Sequence, residues 1–230
     1  MTFSIAARCP ETGMLGVAVS TKLLCVGQLV PFPRAGVGVI ATQSFVNPYL
    51  GLHGLDYLAE GLGATAVRDR LAAEDEGRSL RQFSVVDREG GSASYTGSDC
   101  VNWCGHRTGD GYAAAGNMLV GEATIQAMAD SFEGSSGTPF GERLMQALEA
   151  GQAAGGDRRG RQSAALKVVS TEDYPLIDLR VDDNPDPVVE LRRLWELYNQ
   201  ELAGVMAMLP SKAHPAGLFD LEQLRPYLPK

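Results

Sequence analysis

The sequence predicts an α+β fold, a four-layer αββα sandwich of two antiparallel sheets with a C-terminal helical extension. Three observations carry this. Strand patterns come as hairpin pairs, helix patterns come as pairs, and the two alternate along the chain as strands, two helices, strands, two helices, strands and tail. That rhythm lacks the single helix between successive strands that a parallel βαβ sheet needs. The third observation is the run Val37-Gly38-Val39-Ile40-Ala41, which is apolar on both faces. A strand of that kind belongs to a sheet covered on both sides.

Taken in order, residues 2–9 and 14–20 read as two strands joined by the turn Pro10-Glu11-Thr12-Gly13, with Pro early and Gly late. Residues 21–35, with Gly27, Pro31 and Pro33, read as a loop, and residues 37–42 as a strand. Asn47-Pro48 marks a break before a helix over 49–62, with Leu52, Leu55, Leu58 and Leu62 at helical spacing. Gly51 and Gly54 weaken that helix on propensity alone. A second helix spans 64–74. Residues 82–87 and 92–96 form a hairpin across Arg88-Glu89-Gly90-Gly91. Residues 97–111 read as a Gly-rich polar stretch, and 111–117 as a strand. Helices follow over 121–133 and 138–152, then strands over 164–169 and 176–181. Asp183-Asn184-Pro185-Asp186-Pro187 starts a long helix over 187–208. A short helix over 218–228 closes the chain. The expected division is a sandwich domain over 1–182 and a helical extension over 183–230. The apolar stripe of the long helix suggests a homodimer or higher homo-oligomer, set against ordinary docking on its own sandwich.

Composition narrows the function classes. The chain has 230 residues, 44% hydrophobic and 21% charged, with net charge −8. This is ordinary for a globular protein. No basic stripe exists, which argues against nucleic acid and anionic membranes as partners. No apolar run reaches the roughly 18 residues of a membrane span, and no basic-then-apolar leader opens the chain. A cytoplasmic protein is expected. Cys9, Cys25, Cys100 and Cys104 read as free thiols. Cys100-x-x-x-Cys104-x-His106 falls short of a four-ligand zinc set, with His53 and His214 standing alone. Neither a metal nor an organic cofactor is expected.

The chemistry-bearing candidates begin with Thr2. Removal of Met1 ahead of this small residue would leave one residue with both a hydroxyl and a free α-amine. That amine titrates at roughly 7.7–8.0, so it can serve as base for its own hydroxyl. A retained Met1 would block it. Ser4 shares the strand face of Thr2. The run Asp157-Arg158-Arg159-Gly160-Arg161-Gln162-Ser163 places three arginines within four residues. This suits a bound carboxylate or phosphate, with Asp157 offsetting some of the charge; a solvated turn is the plainer reading. Ser163 opens a strand and is a candidate to orient the α-amine. Gln43, Asn47 and Asn117 end strands or begin turns, where side-chain amides either line an oxyanion hole or brace backbone. His106 has the pKa range of a general acid–base, and is equally open to a structural reading.

Four stretches carry a resemblance: residues 2–7, 16–22, 35–43 and, most specifically, 157–165 (Asp-Arg-Arg-Gly-Arg-Gln-Ser-Ala-Ala). They are similar to the DUF1028 family over roughly residues 1–215. The family has no settled function and is placed by fold among the N-terminal nucleophile (Ntn) hydrolases. The resemblance implies an Ntn-hydrolase-like sandwich and an amide-cleaving site with Thr2 at the nucleophile position. It also implies a basic residue about thirty positions downstream. Arg34 lies near that spacing and Lys22 competes with it. An arginine there departs from the proteasome pattern, because it stays protonated and supplies charge only. The expected activity is hydrolysis of a C–N bond in a small anionic amide. Thr2, Ser163, Asn117 and Gln43 are the catalytic candidates. Arg158, Arg159, Arg161, Asp157, Arg34, Asn47 and His106 are the substrate-binding ones. The rival expectation is a non-catalytic ligand-binding or assembly protein that keeps the fold.

Overall fold

A computed structural model describes residues 2–218 together with Glu222 and Arg225. The helix expected over 218–228 otherwise lies outside the described residues. Two antiparallel sheets form the centre. The first has six strands: β1 (Thr2–Arg8), β2 (Leu15–Thr21), β7 (Trp103–Gly109), β8 (Tyr112–Leu119), β9 (Ser163–Val169) and β10 (Ile177–Val181). Their order is β10-β9-β2-β1-β8-β7. The second has four, β3 (Pro31–Arg34), β4 (Gly38–Ser44), β5 (Arg81–Asp87) and β6 (Ser92–Thr96), in chain order.

Strand alternation builds the layers. Ala6, Val17, Val19, Ala113 and Ala165 of the first sheet meet Val39, Ala41 and Val86 of the second in the central core. Phe3, Ile5, Ala114 and Leu166 point the other way, against α4 (Ala123–Gly134) and α5 (Phe140–Ala153). Ile40, Phe83 and Val85 carry α2 (Pro48–Ala59) and α3 (Ala64–Glu74) on the outer face of the second sheet. The αββα order expected from the sequence is thus the observed one. No described helix is long and apolar enough to cross a membrane.

Three local departures have physical causes. Residues 21–35, read as a loop, contain α1 (Val26–Leu29) and β3. Pro31 and Pro33 hid this strand, and prolines are tolerated in it because it is a sheet edge. The Gly-rich stretch 97–111 contains β7, an edge strand with a bulge between Trp103 and Gly105. It has one β-branched residue, Thr108, beside two glycines, and is held by pairing with β8. The long helix expected over 187–208 is α6 (Pro187–Leu197), a π-turn (Tyr198–Leu202) and α7 (Ala203–Met206). The Asn199 amide donates to the Trp195 carbonyl at 2.8 Å, a side-chain insertion of the kind that widens a helix. Val188, Leu191 and Trp195 of α6 are buried against the chain's own sandwich.

Gly51 and Gly54 reverse the propensity argument. A Cβ on Gly51 would stand 2.4 Å from the Phe32 ring, and one on Gly54 would stand 2.2 Å from Ile40. The glycines let α2 lie close on the sheet. Gly51→Ala is therefore expected to destabilise by about 1–3 kcal/mol through overpacking. This outweighs the ~1 kcal/mol that alanine gains in a helix. Urea unfolding checks the sign.

Glu142 of α5 accepts from Arg192 at 2.7 and 2.9 Å and from Trp195 Nε1 at 2.6 Å. Burial pushes its pKa up, but the Arg192 and Trp195 hydrogen bonds outweigh it and the net shift is downward. A depressed carboxylate pKa stabilises above the unfolded value, near 4.3, and that stabilisation is lost as pH falls through the folded value. The melting-temperature gap between wild type and Glu142→Gln is expected to shrink from pH 7 to pH 3.

Candidate functional site

Thr2 is the first residue of β1, between β2 and β8, opposite Thr21 and Asn117. It faces the inter-sheet layer with Ser4 and Ala6. Its side chain is almost wholly enclosed, and its Oγ1 donates to Thr21 Oγ1 at 3.2 Å. Beside it opens a cavity of about 190 Å³. Thr2, Ser44 and Arg159 give it polar walls, while Leu23, Val26, Leu29, Val30 and Val46 give it aliphatic ones.

Behind Thr2 the sheets are joined by a buried amide network centred on Gln82, which is fully enclosed. Gln82 Nε2 donates to the carbonyls of Gly116 and Gly105, at 2.9 and 3.1 Å. Backbone carbonyls only accept, so this end of Gln82 is its NH2 group. Its Oε1 therefore accepts, from Gln43 Nε2 and Asn117 Nδ2, each at 2.9 Å. Gln43 Oε1 in turn accepts from the Ser4 hydroxyl at 2.7 Å. Two carbonyls thus orient three side-chain amides, and Asn117 turns its oxygen away from Gln82. Outward, Gln82 Nε2 also reaches Thr96 Oγ1 at 2.9 Å, which pairs with His106 Nδ1 at 2.9 Å.

The arginine run wraps the same end of the sandwich. Asp157 is buried and accepts from the backbone N–H groups of Lys22 and Arg159, each at 2.8 Å. It also pairs with the Arg159 guanidinium at 3.3 Å. This anchors the run to the end of β2 and sets Arg159 at the cavity lip. Arg161 pairs with Asp186 at 2.8 Å, and Arg158 is exposed. Ser163 is fully buried, accepts from Val26 N–H at 3.1 Å and donates to the Leu23 carbonyl. It fixes the loop that makes the cavity wall, two strands from Thr2. Lys22 Nζ donates to the Arg161 carbonyl at 3.2 Å.

Three candidates stand apart from the cavity. Arg34 closes the other end of β3 and pairs with Asp56 at 2.9 Å. Asn47 caps α2 through the Tyr49 N–H and donates to Asp75. His106 lies on edge strand β7, where the protein crowding its ring, and then Arg68, lower its pKa below the ordinary histidine value. Cys104 donates to the Cys100 carbonyl, so Cys100, Cys104 and His106 do not converge. Among the described residues no three metal-capable side chains do.

Backbone strain marks the same end. Four described non-glycine residues have φ in the left-handed region: Cys25 (57°), Ser44 (71°), Asn102 (58°) and Met118 (52°). Cys25 precedes the cavity-lining Val26, Ser44 lines the cavity, and Met118 follows Asn117. Asn102 is adjacent, since the Met118 N–H donates to the Val101 carbonyl. Such strain costs about 1–3 kcal/mol per residue and gathers at functional sites.

Comparison with known proteins gives a family and a fold. A family model described as "Family of unknown function (DUF1028)" matches residues 2–191. The crystal structure of protein SPO2555 from Silicibacter pomeroyi, of the same family model, superposes with a TM-score of 0.87 at 32% identity, covering 95% of this chain and 96% of that one. Anbu (ancestral beta-subunit) from Yersinia bercovieri is similar at a TM-score of 0.39 and 12% identity, over 91% of this chain and 98% of that one. No curated protein matches the chain.

Proposed function

Because the chain belongs to the DUF1028 family, whose function is unknown, we propose its activity from the site itself: hydrolysis of a C–N amide bond in a small anionic substrate, with Thr2 as nucleophile once Met1 is removed. The observation that carries this reading is Thr2 at the start of β1, lining a cavity together with the cationic Arg159. Thr2 Oγ1 adds to the substrate carbonyl while the Thr2 α-amine takes the hydroxyl proton. Backbone N–H groups hold the oxyanion. The intermediate collapses with cleavage of the C–N bond, and the amine departs with that proton. Water then adds to the acyl ester with the α-amine as base, and the acid leaves as Thr2 regains its hydroxyl. Asn117, the cross-strand neighbour of Thr2 with its NH2 group held by Gln82, keeps its oxygen to accept from the ammonium. Thr21 holds the hydroxyl, and Arg159 attracts the anionic group. Gln43 has both ends of its amide engaged, so its role here is support of Ser4 and Gln82.

The test is the intact mass of the untagged chain, followed by amine release from a panel of small amides. A mass lacking Met1 together with amine release supports the reading. Full retention of Met1 overturns it in favour of a ligand-binding protein, a reading to which the enclosure of Thr2 also lends itself.

A further inference from the structure

We propose that the Thr2 cavity selects N-acyl amino acids with a short branched aliphatic acyl group, the acyl chain buried and the carboxylate held by Arg159. The proposal rests on the Thr2 reading for which bond is cut, but not for what binds. Polarity in the cavity is graded. Val26 and Val30 are each only 1% exposed and carry no polar side-chain atom. The Arg159 side chain is 43% exposed and stands at the rim, beside the equally open Leu23. The apolar part of a ligand therefore lies deep and its charge lies at the lip.

Size sets the chain length. A volume of about 190 Å³ is roughly six water volumes at ~30 Å³ each. That admits an acyl group of about four to six carbons, which excludes a long fatty chain. The wall is built from valines and leucines, with no aromatic side chain or carboxylate among the lining residues. Branched aliphatic chains match the valine and leucine part of that surface, where a charged or hydroxylated group would be desolvated away from the polar side chains of Thr2, Ser44 and Arg159.

Arg159 is placed for a carboxylate. Its backbone N–H and its guanidinium both engage Asp157, which fixes the direction of the side chain. A guanidinium has five donors in a planar fork, so contact with Asp157 is compatible with a ligand carboxylate. With the acyl carbonyl at Thr2 and the cation at the lip, the carboxylate belongs to the amine half of the substrate.

Binding to the Thr2→Ala protein, read by calorimetry, tests this without turnover. N-(3-methylbutanoyl)glycine is expected to bind at least tenfold tighter than N-acetylglycine. It is also expected to bind at least tenfold tighter than the neutral N-(3-methylbutanoyl)glycinamide. Leu29→Phe should remove the first preference and keep the second. Arg159→Gln should do the reverse, with melting temperatures confirming that both variants fold. Equal affinities for the three ligands, or preferences unchanged in both variants, overturn the proposal. Turnover by the wild-type protein separates the two claims. Selective binding without hydrolysis keeps the pocket and removes Thr2 chemistry. Hydrolysis without chain or charge preference keeps Thr2 and removes the pocket.

Discussion

Thr2→Ala is expected to lower amide hydrolysis by at least about 1,000-fold while leaving the protein folded. Removing a nucleophile removes the covalent route altogether, and what remains is catalysis by binding and charge, typically a small residue of the total. The structural cost is slight by comparison. The substitution deletes one hydrogen bond, to Thr21 Oγ1, worth about 1 kcal/mol. The strand itself is held by β2 and β8 on either side. Steady-state rates alongside a thermal melt separate the two effects. A variant that keeps more than a tenth of the wild-type rate would remove Thr2 from the mechanism. Thr2→Ser, which keeps both hydroxyl and amine, is expected to retain measurable turnover.

Gln82→Leu is expected to be the most destabilising single change near the site, at about 3–5 kcal/mol. Leucine approximates the size of glutamine but strands three enclosed polar groups, the amide N–H groups of Gln43 and Asn117 and the carbonyl of Gly116, and leaves the half-buried Gly105 carbonyl without its side-chain donor. Each unsatisfied group costs about 1–3 kcal/mol, and neighbouring groups relax together, so the sum falls short of simple addition. Ser4→Ala, at the end of the network, is expected to cost only about 1 kcal/mol. Urea titration of both variants checks the contrast, and a loss below 1 kcal/mol for Gln82→Leu would show that the network is slack. Turnover should fall with Gln82→Leu as well, because Asn117 loses the partner that aims it.

The layers were legible because hydrophobic periodicity is local. Ile5 and Ala6 already point to opposite cores in the pattern of β1. The site was legible only in its parts. Thr2, Asn117, Gln43, Arg159 and Asp157 are recognisable as chemistry, but nothing in their spacing says that Gln82, 35 residues from Asn117, orients two of them. Gln82 sits in a strand beside the core residues Phe83, Val85 and Val86, and Thr21 ends one; neither has a sequence signature. Lone buried polar residues inside predicted strands were the available hint, since such groups require partners. Arg34 shows the opposite failure. Its count along the chain gives no sense of direction, and β3 carries it away from Thr2 to Asp56. Gly51 and Gly54 misled for a third reason, because propensity scales describe isolated helices and these glycines answer to Phe32 and Ile40.

The prolines of β3 also bear on self-association. Pro31 and Pro33 alternate with Phe32 and Arg34 in the ladder to β4. A proline has no N–H to give, so only Phe32 and Arg34 can donate toward β4, and the two proline nitrogens lie on the outward side. That rim offers carbonyl oxygens without a matching donor at either proline. An incoming strand would find no zipper to close, and the smaller sheet is shielded there from growing into a fibre. Copies of this chain that meet at that edge would have to recognise one another by side-chain surface instead of by continued backbone pairing.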